Sequence, residues 1–271
     1  MTLDKMKRLQ HILLEMKDVV VAFSGGVDST FLLKVALDTL GNDRVLAVTA
    51  DSETYPTTEL EEAKRLAAEL GAKHQVVETS ELGIPGYAEN TSNRCYFCKK
   101  NLFEVLLPIV KQRESGGILY GLIADDMNEH RPGVQAAKEL GVRGPLQEAG
   151  WTKAEIRDAS RELGLPTWDK PSFACLSSRV AYGETITEEK LERIERAEAY
   201  IRGLGFKQVR VRMHGEMARI EVYPEDIPEL LSKHDEIAAQ LTAFGFQYVT
   251  ADMKGYRSGS MNEGLKNRLT M

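Results

Sequence analysis

Two groups of residues in this 271-residue chain could do chemistry. The first is Ser24-Gly25-Gly26-Val27-Asp28-Ser29-Thr30, set between an apolar run at 19–23 and a segment of helical spacing at 31–40 that ends at Gly41. A strand, a glycine turn and a helix in that order offer backbone amides at a helix N-terminus, and two glycines let the backbone wrap closely around an anion. The segment lacks the lysine of G-x-x-x-x-G-K-[ST] and the third glycine of a dinucleotide fingerprint, which disfavours P-loop NTPases and dehydrogenases. A glycine turn with a Ser or Asp helix cap is the plain structural alternative.

The second group is the cysteines. Cys95 and Cys98 form a C-x₂-C pair at the start of a segment of helical character, and Cys175 lies in the irregular stretch Pro171-Ser-Phe-Ala-Cys-Leu-Ser-Ser-Arg179. Three sulfurs suit a metal. Structural zinc would want a fourth ligand, and no histidine or further cysteine lies close in sequence to either segment. A [4Fe–4S] cluster held by three thiolates keeps one iron open for an exogenous ligand such as sulfide. From the residues alone the other readings stay open: a thiol–disulfide pair, zinc completed by a carboxylate or a distant histidine, or inert buried cysteines. His11, His74, His130, His214 and His234 show no paired metal-binding spacing and read as structural or surface residues, and Trp151 and Trp168 read as packing residues.

The elements that must position these residues alternate. Strands are expected at 19–23, 45–49, 73–79 and 117–120, and helices at 1–17, 31–40, 57–70, 98–114 and 152–163. That order predicts an α/β fold with a parallel sheet and right-handed crossovers. Its ligand should bind at the carboxyl ends of the strands, which brings Ala50-Asp51-Ser52 toward the nucleotide. From 188 the pattern changes to a helix (188–204), a strand pair (208–213 and 218–222), a helix (226–244) and a strand (246–252), a smaller α+β unit. The expected domains are therefore 1–170, a linker or active-site loop at 171–187, and 188–271 for substrate binding or oligomerisation.

Composition sets limits on partners. Lys plus Arg number 35 against 41 acids, a net charge of −6, which argues against a surface built mainly for nucleic acid. The N-terminal segment has no apolar signal region, and the longest apolar runs fall far short of the ~20 residues of a membrane span. Three cysteines without an export signal fit reduced thiols in the cytosol.

The heptapeptide S-G-G-V-D-S-T resembles the PP-loop of N-type ATP pyrophosphatases, which adenylate a substrate oxygen and release pyrophosphate. The resemblance implies that Asp28 holds Mg²⁺ against the phosphates of ATP, while Ser24, Ser29 and the amides of Gly25 and Gly26 hold the phosphates. Four further segments extend the resemblance over nearly the whole chain: Ala124-Asp-Asp-Met-Asn-Glu129, Cys175-Leu-Ser-Ser-Arg179, Val209-Arg-Val-Arg212 and Gly255-Tyr-Arg-Ser-Gly259. Together they are similar to the LarE family, ATP-dependent sulfur transferases that make the nickel-pincer nucleotide cofactor of lactate racemase.

That resemblance implies adenylation of a carboxylate of pyridinium-3,5-biscarboxylic acid mononucleotide, then sulfur transfer to give a thiocarboxylate. One type of the family has a single cysteine, matching Cys175, which gives up its own sulfur. The other has three, matching Cys95, Cys98 and Cys175, which hold a [4Fe–4S] cluster whose open iron carries sulfide from a donor. This chain resembles the cluster type. By the same resemblance Lys99, Arg210, Arg212 and Arg257 bind the anionic substrate, Glu198, Glu221 and Glu229 gather near the transferring sulfur and can hold a cation, and the protein is a homo-oligomer, a hexamer in the family. Without the family, Arg210 and Arg212 alternate on one strand and suit an anion fork, whereas the three glutamates read as ordinary surface acids. The competing functions are a cluster-dependent tRNA thiolase, an ammonia-using adenylating synthetase, and a nucleotide-binding regulatory module without turnover.

Overall fold

The computed structural model describes residues 2–128, 132–257 and 259–262. Glu129, His130 and Ser258, named above, lie outside the described residues. The chain divides into two compact units, one of residues 1–84 and 93–173 and one of residues 85–92 and 174–271. The boundary thus falls within the stretch expected as a linker, and a short segment far upstream belongs to the second unit.

In the first unit, β1 (Val19–Ala22), β2 (Val45–Asp51), β3 (Lys73–Glu78) and β4 (Ile118–Leu119) form a parallel sheet in the order β3-β2-β1-β4. Successive residues alternate between faces, and both faces are covered. Val19, Val21, Ala47 and Leu119 join one apolar cluster, while Val20, Leu46, Val48 and Ile118 join another. Helices α1 (Thr2–Met16), α2 (Val27–Leu40), α3 (Thr57–Glu69) and α7 (Lys153–Glu162) supply the first cluster, and α4 (Arg94–Arg113) and α5 (Pro132–Glu139) the second. A short α6 (Pro145–Glu148) leads to Trp151, which is fully buried with its ring 4.9 Å from that of Phe31 on α2.

The N-terminus of α7 is fixed by a capping box: the Thr152 hydroxyl accepts from the Glu155 amide, and the Glu155 carboxylate accepts from the Thr152 amide at 2.9 Å. Lys5 on α1 donates to both oxygens of that same carboxylate at 2.7 Å. Sequence periodicity missed α5 and α6, and it started α4 four residues late, so Cys95 lies in the first turn of the helix and Cys98 at the start of the second.

In the second unit, α8 (Glu188–Gly203) packs on an antiparallel pair, β5 (Arg210–His214) and β6 (Met217–Glu221), which turns at Gly215 with φ +56. β7 (Tyr248–Ala251) lies parallel to β6 at the edge of the sheet. The helix expected over 226–244 is two helices, α9 (Ile227–Ser232) and α10 (His234–Ala243), broken at Lys233, whose φ of −103 departs from helical geometry. Segment 85–92 is sewn to this unit by buried polar contacts. The Tyr87 hydroxyl donates to Ser177 Oγ at 2.8 Å, and the Asn90 side-chain amide donates to the carbonyls of Val180 and Ala181. No helix among the described residues is long and apolar enough to cross a membrane.

Candidate active site

The phosphate loop leaves β1 at Phe23 and enters α2 at Val27. Gly25 has φ +61, and a Cβ there would come within 3.2 Å of Ala63 on α3, so both its conformation and its space require glycine. Gly26 caps α2 without a side-chain hydrogen bond, which leaves the first helical amides turned to an incoming anion. The Ser24 and Ser29 hydroxyls lie 3.1 Å apart, and the Ser24 amide donates to Ser29 Oγ at 3.3 Å. The two serines, both glycines and Asp28 therefore share one loop at the start of α2.

Asp28 is engaged. Lys153 Nζ donates to both oxygens of its carboxylate at 2.8 and 2.7 Å, and the Lys153 backbone amide donates to Asp125 at 2.6 Å. Lys153 is the first residue of α7, where a cation opposes the positive end of the helix dipole. Sequence reasoning missed it, although that mismatch of charge and position, just inside the Thr152 capping box, was the available signal. The turn after β4 approaches closely at the same point, since a Cβ on Gly121 would lie 3.1 Å from the Ser29 amide nitrogen and 3.2 Å from Asp28 Cβ.

Two more residues brace the loop. Tyr55 donates its hydroxyl to the Ser24 carbonyl at 2.8 Å, and burial, with Glu59 and Glu62 nearby, pushes its phenol well above the ordinary range. Lys170 donates to the Gly25 carbonyl at 3.2 Å and pairs with Glu59 and Glu62 of α3. From the same turn after β2, Ser52 meets Thr54, whose hydroxyl reaches the buried Glu81 at 3.2 Å. Burial raises the Glu81 carboxyl, and its other oxygen is 3.9 Å from Cys98 Sγ. Cys95 is exposed and Cys98 half-buried, while Lys99 passes its amine 6.0 Å from the centre of the Phe103 ring.

The remaining expected residues belong to the second unit. Cys175 is half-buried and opens the 3₁₀ turn Leu176–Arg179. Glu198 and Glu221 are not surface acids; both are fully buried. Glu198 takes a two-pronged bond from the buried Arg179 at 2.8 and 3.0 Å, with further bonds from Arg202 and the Val211 amide. Burial alone would raise the Glu198 carboxyl, but Arg179, with Arg210 and Arg202, overrides it and holds the group at about 2. Glu221 accepts from Arg212 at 2.9 Å, Arg219 at 3.1 Å and Ser260 at 2.9 Å. Arg212 is thus engaged by a carboxylate. Arg210 instead stacks on Tyr256 at 5.5 Å, and burial followed by the charge of Arg179 draws its pKa down to about 10. Arg257 donates to Asp252 at 3.3 Å. Glu229 differs from the other two glutamates: it is exposed on α9, with Lys233 at 3.8 Å.

A parallel sheet with a glycine loop that has no lysine of its own, followed by an aspartate one residue inside the helix, fits the class of adenylating enzymes to which NAD synthase belongs, and the NAD synthase family model matches residues 7–122. The chain is 35% identical to the NH(3)-dependent NAD(+) synthetase of Methanococcus aeolicus over 55% of this chain and 61% of that one. Similarity over the full length is of another kind. The chain is 42% identical to the pyridinium-3,5-bisthiocarboxylic acid mononucleotide synthase of Lactiplantibacillus plantarum, over 96% of this chain and 95% of that one. It is also 46% identical, over 96% of its length and 98% of the other, to an uncharacterized protein of Synechocystis sp.. The chain belongs to the family of the L. plantarum synthase, the LarE family that its motifs resemble.

Two outcomes are expected from this geometry. Gly121→Ala should weaken binding of Mg²⁺·ATP by tenfold or more, about 1.4 kcal/mol, in calorimetric titration, because the new Cβ presses on the Ser29 and Asp28 backbone. An unchanged affinity would mean that the loop yields freely. For Glu198, a folded-state pKa held at about 2, below the ordinary carboxylate value, contributes stability that is present above pH ~4.5 and is lost as pH falls toward 2. Urea unfolding followed from pH 7 to 3 should show about 2 of the roughly 3 kcal/mol of that loss in the wild type, and should show a flatter acid limb in Glu198→Gln.

Proposed function

We propose that this protein is an ATP-dependent sulfur transferase that adenylates a carboxylate of pyridinium-3,5-biscarboxylic acid mononucleotide and replaces AMP with sulfur. The observation that carries this reading is the full-length likeness to the L. plantarum synthase. In the first step a carboxylate oxygen attacks the α-phosphorus of ATP and pyrophosphate leaves. In the second, hydrosulfide attacks the acyl carbon, AMP departs with the bonding electrons, and a thiocarboxylate remains. The cycle then repeats on the second carboxylate.

The loop amides, Ser24 and Ser29 would bind the phosphates and accept the charge that develops on pyrophosphate. Asp28 would hold Mg²⁺, which supplies Lewis-acid charge at the phosphates. The Asp28 carboxylate already accepts two bonds from an ammonium, so the position suits a cation. Once Asp28 is otherwise engaged, Lys153 becomes a positive charge at the edge of the same cradle. In the second unit Arg210, Arg212 and Arg257 would take the anionic substrate.

Cys95, Cys98 and Cys175 would hold a [4Fe–4S] cluster, which when bound offers an open iron at which sulfide rests. All three are free thiols, the donor type that such a cluster takes, and among the described residues no three metal-binding side chains are gathered into a site. The sulfide itself would come from an external donor, and the family resemblance further implies a homo-oligomer.

One set of anaerobic assays tests the reading, scoring pyrophosphate, bound iron and thiolated product in wild type and three variants. Asp28→Ala should stop pyrophosphate release. Cys175→Ala should release pyrophosphate but form no thiocarboxylate, and Cys95→Ala should lose iron, acid-labile sulfide and repeated turnover. Full thiolation by Cys175→Ala would overturn the sulfur route, and an iron-free wild type that thiolates only once would reduce the route to sacrifice of Cys175.

A further inference from the structure

We propose that Arg179 is the positioning residue of the Cys175 loop, a buried clamp that fixes the thiol for sulfur transfer and takes no part in adenylation. The inference rests on the proposed role of Cys175 but is argued from geometry within the second unit. The guanidinium divides its donors between two targets. Nε and Nη2 are spent on the two oxygens of Glu198, at 2.8 and 3.0 Å. Nη1 turns the other way, onto the loop: it donates to the carbonyl of Ala174, to that of Cys175 at 2.9 Å and to Ser178 Oγ at 3.0 Å. The peptide carbonyls on both sides of the Cys175 Cα are therefore held by one planar, fully buried group.

The loop folds around its own arginine. Cys175 opens the 3₁₀ turn that Arg179 closes, and the Ser178 amide donates to the Cys175 carbonyl at 3.0 Å. A turn this short leaves poor hydrogen-bond geometry and few partners of its own. Tyr87 holds Ser177 and Arg212 reaches the Ser178 carbonyl at 3.1 Å, but at Cys175 itself the loop is held by the side chain that it surrounds. The anchor is rigid, since Glu198 also accepts from the Val211 amide of β5 at 3.0 Å and from Arg202 at 2.6 Å. The clamp thus ties the Cys175 backbone to the strand that carries Arg210 and Arg212. A lysine in its place could keep an ion pair with Glu198, but a single ammonium lacks the flat fork that serves a carboxylate and two carbonyls at once.

The test uses the full chain with Arg179→Lys and Arg179→Met. Hydrogen–deuterium exchange, which needs no turnover, should rise tenfold or more at the amides of residues 175–180 in both variants and stay unchanged in β1, β2 and α2. A residue that merely stabilised the fold would raise exchange throughout. Sulfur transfer should fall at least tenfold in kcat, with pyrophosphate release within twofold of wild type. If the methionine variant fails to fold because Glu198 has lost its partner, the lysine variant decides. Unchanged exchange at 175–180 in a folded variant overturns the clamp, and faster local exchange with wild-type sulfur transfer overturns its positioning role. Cys175→Ala assayed in parallel reports separately on whether Cys175 delivers sulfur at all.

Discussion

Asp28 and Lys153 hold one another across the mouth of the phosphate cradle at 2.7 Å, and much of the first unit is arranged so that they can. Asp28 is favourably placed in the first turn of α2, where negative charge meets the positive end of the helix. Lys153 is unfavourably placed, because it brings positive charge to the positive end of α7. The pair offsets that conflict. Gly25 against Ala63, Gly121 against Asp28 and Tyr55 on the Ser24 carbonyl keep the backbone closely packed around the pair.

The second unit solves a different electrostatic problem. Three guanidiniums, of Arg179, Arg210 and Arg212, are buried with two carboxylates, of Glu198 and Glu221. Burying such pairs costs desolvation that mutual attraction only partly returns, so a surplus of positive charge in that setting is poor economy for stability alone. The net charge of −6 conceals this, because it is summed over the whole chain.

How much of this was legible in the sequence differs between the two units. Short apolar runs alternating with helical spacing located all four strands of the parallel sheet, and the S-G-G-V-D-S-T segment marked the glycine loop between the first strand and the first crossover helix. The glycine spacing there is local and chemically specific. What could not be read were partners joined only by the fold. Lys153 lies 125 positions from Asp28, and Arg179 and Glu198, which looked like a loop base and a surface acid, become buried once α8 packs on β5. Helix α4 began early because Arg94 is buried at its first turn, a position that apolar periodicity does not mark. Segment 85–92 reads as a loop of the first unit, yet its Tyr87 and Asn90 find their hydrogen-bond partners in the second.

The contact of Lys5 with Glu155 carries an evolutionary consequence. Glu155 has two duties: it completes the cap that starts α7 and it receives the amine of a helix at the opposite end of the unit's sequence. The cap fixes where α7 begins, and the first residue of α7 faces Asp28. Drift at position 5 is therefore not silent, even though no atom of Lys5 approaches the cradle in sequence or by direct bond. Among descendants of this chain, positions 5 and 155 should change in concert, with loss of the basic residue accompanied by a shorter or uncharged acceptor that still caps the helix. The surrounding residues of α1 should vary independently wherever they face solvent.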